Sequence, residues 1–209
     1  MNITVLGATG RTGEHVVQQA LKAKHQVTAV VRNPAKLQLH HPALTIAQAD
    51  VLDPTTLTEH LTGRDAIISA LGAGHLKPST ICTDSAESIL RAMPKARVRR
   101  LIVVSTSGAT TEGDRPFTRY LLKPVLGRVF RHPWGDMRRM EELIMASDTD
   151  WTIVRPPRLT NTQHTGIYRT ATNRSIPGGN SIPRANLANA LLNTVTNRTT
   201  YNQTLTVAT

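Results

Sequence analysis

Short apolar runs and amphipathic stretches alternate through the first two thirds of the chain. Ile3-Thr4-Val5-Leu6 is one such run, and glycines follow it directly. From Thr12 to Lys24 the apolar positions Val16, Val17, Ala20 and Leu21 recur at helical spacing and mark one buried face. Val27 to Val31, rich in β-branched residues, reads as a second strand, and Leu44 to Ala47 as a third. Pro54 to Leu61 predicts a short helix, and Ala66 to Leu71 a fourth strand stopped at Gly72. Thr80 to Met93 is helical, Leu101 to Ser105 is a fifth strand, Gly135 to Ala146 is helical, and Trp151 to Val154 is a sixth strand ended by Pro156-Pro157.

Apolar strands separated by helices require a parallel sheet covered on both faces, with right-handed crossovers. The predicted fold class is α/β: a Rossmann-like doubly wound parallel sheet, whose ligand lies beyond the carboxyl ends of the strands. One domain is expected over residues 1–209, with substrate-side insertions at about 108–134 and 158–183 forming a small irregular lobe. Pro116, Pro124 and Pro133 make the first insertion read as a long loop, with a helical turn near Tyr120-Leu121-Leu122. The polar stretch 160–183, with Gly178-Gly179, reads as strand and loop. Ser181 is expected to cap a helix opened by Pro183 and running through Leu187, Leu191 and Leu192. Asn202 to Val207 alternates and predicts a final edge strand.

Composition narrows the picture. A chain of 209 residues with 39% hydrophobic content can bury a full core and does not read as disordered. The single Cys82 forms no internal disulfide and no zinc cluster; it reads as a packing residue and points to a reducing compartment. Met1 leads into the first strand without a basic leader or cleavage site, and no apolar stretch approaches the ~18 residues of a membrane span. A cytoplasmic chain with no membrane partner is therefore expected. His40-His41 lacks partners at metal spacing, so no metal is expected. Trp134 and Trp151 read as packing residues.

The net charge of +11 is distributed unevenly. Segment 115–139 holds Arg115, Arg119, Lys123, Arg128, Arg131, Arg138 and Arg139 against one acid, Asp136. After Asp150 there is no acidic residue, while Arg155, Arg158, Arg169, Arg174, Arg184 and Arg198 follow. This is either a solvated basic surface or the mark of an anionic partner.

The residues with chemical meaning sit at strand ends. Gly7-Ala8-Thr9-Gly10-Arg11-Thr12-Gly13 joins the first strand to the first helix. Glycines there allow a tight turn and let backbone N–H groups approach a pyrophosphate, which the helix N-terminus favours. Arg32 follows the second strand, where a carboxylate would hold the ribose hydroxyls of NAD; a guanidinium suits the 2′-phosphate of NADP instead. Asp50 and Val51 are placed to meet the adenine edge, and Ala70, Leu71 and Gly72 to pass along the ribose and nicotinamide side.

GATGRTG at the amino end, VVRNP at 30–34, ADVLD at 49–53, SALG at 69–72, VVSTSGA at 103–109 and WTIVRPPRL at 151–159 together resemble atypical short-chain dehydrogenase/reductases. The resemblance covers about residues 1–207 and points to NAD(P)H-binding proteins similar to biliverdin reductase B, or NADPH-flavin reductase, with NmrA-like proteins as further relatives. It implies that Gly7, Thr9, Gly10, Arg11, Thr12 and Gly13 hold pyrophosphate and Arg32 the 2′-phosphate. Asp50 and Val51 would contact adenine, and Ala70 to Gly72 the middle of the cofactor. It further implies that Ser105, Thr106 and Ser107 of the strand-five motif lie beside nicotinamide and substrate, with Pro156 and Pro157 turning over the nicotinamide. Arg158 departs from the histidine that biliverdin reductase B carries after its paired prolines, and is a candidate acceptor-site residue.

Short-chain dehydrogenases more widely pair a serine with Tyr-x-x-x-Lys, where the lysine lowers the tyrosine pKa for acid–base work. Ser107 precedes Tyr120 by thirteen positions, an acceptable spacing, but Lys123 stands at i+3 and Pro124 follows. Both designs remain open: a Ser107–Tyr120 acid, or hydride delivery to a delocalised acceptor that takes its proton from water. The expected activity is an NADPH-dependent oxidoreductase acting on a planar conjugated acceptor such as a flavin, quinone or bilin, small and either anionic or aromatic, in a monomer or homodimer. The alternative is a non-catalytic NADP(H) sensor of the NmrA-like type. An epimerase lacks its Tyr-x-x-x-Lys here, and no helix-turn-helix or aromatic RNA-binding signature supports nucleic acid as a partner.

Overall fold

Ile3 to Leu6 are buried on both faces of β1 (Asn2–Leu6), as a strand between two helical layers requires. The computed structural model describes residues 1–109 and 123–209. After β1 come α1 (Arg11–Lys22), β2 (Gln26–Val31), β3 (Leu44–Gln48), α2 (Pro54–Leu61), β4 (Ala66–Ser69), α3 (Ile81–Ala96) and β5 (Arg100–Val104). The chain continues through α4 (Lys123–Val129), α5 (Arg131–Met145), β6 (Asp150–Arg155), β7 (Arg158–Thr160), β8 (Arg169–Thr172), β9 (Ser181–Pro183), α6 (Arg184–Val195) and β10 (Gln203–Ala208).

Eight strands form one sheet in the order β3-β2-β1-β4-β5-β6-β10-β8, and β7 pairs with β9 apart from it. Among the described strands of the main sheet only the β10–β8 pair is antiparallel. The chain winds outward from β1 to β3, then returns to lay β4 against the other side of β1. That reversal opens a crevice at the carboxyl ends of β1 and β4. The fold is the predicted Rossmann-like α/β sheet.

Alternate strand positions feed two cores. On one face Val16, Val17, Leu187 and Leu191 of α1 and α6 close over Ile3, Val5 and Ile68. On the other, Leu57, Ile89, Met93 and Ile144 of α2, α3 and α5 close over Leu6, Ile67, Leu101 and Ile153. Asp136 of α5 caps α3 from a distance: its carboxylate accepts from the Cys82 and Thr83 N–H groups, each over 3.0 Å, and from Thr83 Oγ1 over 2.6 Å. A carboxylate at a helix N-terminus is favoured by the exposed N–H groups and the dipole. Cys82 packs beneath it, as its residue type predicts, and burial together with the Asp136 charge pushes its thiol up to about 12.

Four expectations are corrected. The first insertion is not a long loop beyond residue 122, because α4 and α5 occupy most of 123–145. Pro124 and Pro133 fall in the first turns of these helices, where a missing N–H costs little. The turn expected around Tyr120 lies outside the described residues. Ser181 does not cap a helix; it opens β9, its C=O accepts from Thr209, and α6 starts at Arg184 with Pro183 as N-cap. β10 is not an edge strand, since antiparallel β8 covers it and Asn173 Oδ1 accepts from the Thr204 N–H over 3.0 Å. Lastly, α3 runs past Met93 to Ala96 despite Pro94, ending at Arg97 in the left-handed region (φ 57°). No described helix is long and apolar enough to cross a membrane.

Candidate functional site

The carboxyl ends of β1, β2, β4, β5 and β6 gather the residues that the sequence singles out. Gly7 leaves β1 with φ +78°, a backbone conformation glycine adopts at no steric cost, and its C=O accepts from the Gly10 N–H over 2.9 Å. A Cβ at Gly7 would stand 2.9 Å from the Ala70 carbonyl, so the turn lies directly against the end of β4. Gly13 is tighter still: a Cβ there would come within 2.1 Å of Gly7 O. These contacts press the first turn of α1 onto the loop. Thr9, Gly10 and Arg11 are exposed, Thr12 is half-buried and Gly13 is buried. The first N–H groups of α1 have no acceptor within the helix and point outward from a positive dipole end.

Arg32 is exposed after β2, its guanidinium without a partner among the described residues, while its C=O accepts from Gln48 Nε2 over 3.4 Å. Asp50 is exposed and its carboxylate receives the Leu52 N–H over 3.0 Å, which fixes the turn after β3. Val51 is buried in the core beside Leu57, so its side chain packs inward. Ala70 and Leu71 are half-buried, and Gly72 is exposed. The Ala70 N–H bonds to the Leu6 C=O over 3.0 Å, which carries the β1–β4 ladder up to the cradle.

At the end of β5 the Ser105 N–H donates to Val154 O over 2.8 Å, and Thr106 Oγ1 accepts from the Gly108 N–H over 3.2 Å. The Ser107 N–H donates to Pro156 O over 2.9 Å, tying the β5 turn to the paired prolines after β6. Pro156 is buried, Pro157 half-buried and Arg158 exposed at the start of β7. The structure therefore brings Ser107, Pro156 and Pro157 together, and leaves Arg158 just beyond them. Tyr120, the candidate acid, lies outside the described residues, as do Arg115 and Arg119.

Two features escaped the sequence reading. Trp134 of α5 stacks on Phe130 (centroids 5.4 Å apart), and a Cβ at Gly108 would fall 2.2 Å from its ring. Trp134 is thus a packing residue, but one that packs on the Ser107 turn itself. Behind the turn, Arg155 donates to both carboxylate oxygens of Glu141, over 3.0 and 2.7 Å, with side chains 11% and 3% exposed. This pair pins α5 to the strand that delivers Pro156. A signal for it exists only weakly in sequence, because Glu141 is one of three acids in a helical stretch that also holds Arg131, Arg138 and Arg139.

The pair also revises the charge picture. Arg155, counted in the acid-free tail, is neutralised by Glu141, and Arg169 caps the Pro177 and Thr209 carbonyls. Arg100 is buried as well, donating to the Thr194, Val195 and Asp150 carbonyls with its guanidinium 4.3 Å from the Tyr201 ring; burial lowers its pKa to about 10. A groove of about 410 Å³ lined by Met93, Pro94, Val98 and Asp148 lies at the amino-terminal edge of the sheet, away from all of these strand ends.

Residues 7–198 match the family model described as NAD(P)H-binding. The chain belongs to the NAD(P)H-binding family. A Bacillus subtilis relative, YwnB, is 27% identical over 161 residues, covering 75% of this chain and 71% of YwnB. Among solved structures, a short-chain dehydrogenase/reductase from Veillonella parvula in complex with NADP superposes with a TM-score of 0.81 at 18% identity, covering 100% of this chain and 94% of the other. A candidate NADH-flavin reductase from Streptococcus pneumoniae gives 0.82 at 24% identity, covering 100% and 99%. These likenesses establish a shared fold. They agree with the resemblance to atypical short-chain dehydrogenase/reductases carried by the motifs of this NAD(P)H-binding chain.

Proposed function

We propose that this chain is an NADPH-dependent oxidoreductase that reduces a planar conjugated acceptor, a flavin, quinone or bilin-like molecule. The observation that carries the reading is the Ser107–Pro156 bond of 2.9 Å, which closes the β5 and β6 turns side by side at the carboxyl edge of the sheet, the same edge that carries the glycine turn after β1. A dinucleotide, when bound, supplies the hydride. The chain's own work is to hold and orient. The α1 N-terminus and the close-packed Gly7–Gly13 turn receive the diphosphate, Ala70 to Gly72 line its path, and Ser107 with Pro156 and Pro157 set the reacting face. A delocalised acceptor needs little more, because its added charge is spread over the conjugated system and water supplies the proton. The direct test follows NADPH absorbance with FMN, riboflavin, a quinone or dichlorophenolindophenol. Tight cofactor binding without turnover of any acceptor would refute the reading, and equal affinity for oxidised and reduced cofactor would then favour a sensor.

Cofactor choice follows from Arg32. It is exposed, has no partner among the described residues and is positioned after β2, as a 2′-phosphate ligand would be. NADPH should bind more tightly than NADH by about 1.5–3 kcal/mol, the usual contribution of hydrogen bonds to charged groups. Arg32→Ala should remove most of that difference and leave NADH affinity nearly unchanged. Equal binding of both cofactors by the wild type would refute the assignment.

Arg158 and Arg131 are both exposed, one just past the paired prolines, the other one turn before Trp134. An anionic acceptor is the substrate they suit. FMN should therefore exceed uncharged riboflavin in kcat/KM, and the preference should shrink with salt, since exposed charges are screened within about 8 Å at physiological ionic strength. Equal turnover of the two flavins at low salt would show that these arginines play no part.

A further inference from the structure

Trp134 stands in the first turn of α5, yet among the described residues both cores form without it. Its indole ring is seated instead on the turn that follows β5. A Cβ at Gly108 would stand 2.9 Å from Nε1 and closer still to Cε2 and Cζ2, so the edge of the ring rests on the Gly108 backbone. Gly108 is not among the glycines with positive φ, so its backbone conformation does not call for glycine. The ring is what leaves no room for a side chain there.

The ring is itself held. Phe130 stacks on it with the planes 16° apart, the Trp134 N–H donates to the Phe130 C=O over 2.9 Å, and a Cβ at Gly127 would meet Cζ3 at 3.8 Å. α5 is fixed at two further points. The Asp136 carboxylate holds the amino end of α3, and Glu141 holds Arg155 at the end of β6. Trp134 and Glu141 are seven residues apart, about two helical turns, and so share one flank of α5. From that flank α5 reaches the ends of β5 and β6 at once. The bond from the Ser107 N–H to Pro156 O closes between these two ties. One hydrogen bond fixes a distance but tolerates a broad range of angles. A ring against the next residue removes that freedom.

We propose that Trp134 is a positioning residue for the reduction: seated on Gly108, its ring sets the orientation of the Ser107 turn against the paired prolines. The proposal rests on the oxidoreductase reading and adds the residue that fixes the geometry of its reacting face. Trp134 acts through the turn. The glycine loop after β1 opens α1, which packs on the opposite face of the sheet from α5. Loss of the ring therefore slows the chemical step and spares cofactor affinity.

The test compares kcat of the full chain, with NADPH and whichever of FMN, riboflavin or dichlorophenolindophenol the wild type reduces, with NADPH affinity by isothermal titration. Trp134→Phe keeps an aromatic ring on Phe130 but removes the Nε1, Cε2 and Cζ2 edge. It is expected to lower kcat about tenfold, within the roughly 100-fold that a misplacement of about 1 Å can cost, with NADPH affinity unchanged. Gly108→Ala drives a methyl group into the same edge and should lower kcat likewise. In the double variant the two losses should not multiply, because the smaller ring vacates the space the methyl needs, whereas independent effects add in free energy. Unchanged kcat in Trp134→Phe would overturn the positioning role and leave the oxidoreductase reading intact. A matching loss of NADPH affinity, or losses that multiply, would make Trp134 a general support of the fold and overturn the role too. Should Gly108→Ala fail to fold, Trp134→Phe decides alone. A wild-type chain that reduces none of the acceptors would overturn the positioning role and the oxidoreductase reading together.

Discussion

Glu141→Ala is expected to lower the stability of the fold by roughly 3–5 kcal/mol, the cost of leaving one member of a buried ion pair without its partner. Arg155 is only 11% exposed and gives two hydrogen bonds to Glu141; its third contact, Nη1 to Thr204 Oγ1 over 3.4 Å, is long and cannot replace them. In a domain of this size each kcal/mol moves the midpoint by about 2–4 °C, so the melting temperature should fall on the order of 10 °C. Glu141→Gln retains one acceptor and should cost less. The site should also suffer, because the pair anchors α5, which carries Trp134, to the strand that ends just before Pro156. Calorimetry or urea unfolding measures the loss. A fall of less than about 1 kcal/mol, the range of solvent-exposed pairs, would show that water reaches the pair and that it pins nothing.

Gly13→Ala should remove dinucleotide binding more completely than loss of any single side chain in the cradle. The added Cβ meets Gly7 O at 2.1 Å, Gly7 C at 2.8 Å and Ala8 Cα at 3.0 Å, all backbone atoms that no rotamer change can clear. Either the turn or the start of α1 must move. Overpacking of this kind costs about 1–3 kcal/mol in stability, and the shifted N–H groups no longer converge on one phosphate. Affinity for NADPH and NADH should drop alike by at least about tenfold, since the diphosphate is common to both. Gly72→Ala is the control for stability, because a Cβ there meets nothing within 4 Å. Fluorescence titration of both cofactors is the measurement, and wild-type affinity in the Gly13 variant would refute the cradle as the binding surface.

The sheet and its helices were legible in the sequence because both are local signals. Apolar runs such as Ile3–Leu6 and Leu101–Val104 are short and β-branched, and the helices between them show apolar residues at helical spacing. The strand-to-helix context of Gly7–Gly13, and Arg32 at the end of β2, were equally visible, since motif and position lie within a few residues of each other. Prolines misled where their position in a helix mattered more than their presence. Pro124 and Pro133 stand in first turns, and Pro94 in the last turn of α3.

What the tertiary structure alone decided are relations between residues far apart in the chain. Asp136 caps a helix that begins more than fifty residues earlier, and Arg100 binds carbonyls at the end of α6 more than ninety residues later. Arg155 finds Glu141 on the helix packed behind its strand, so a tail without acids is not a tail without counter-charge. Gln19 reaches the Ala185 C=O, 166 residues further on, because α1 and α6 share one face of the sheet. Residue type and periodicity determine which elements form and which side of each is buried. Charge compensation depends on distance in space, and in a doubly wound sheet each crossover carries the chain across the molecule before it returns.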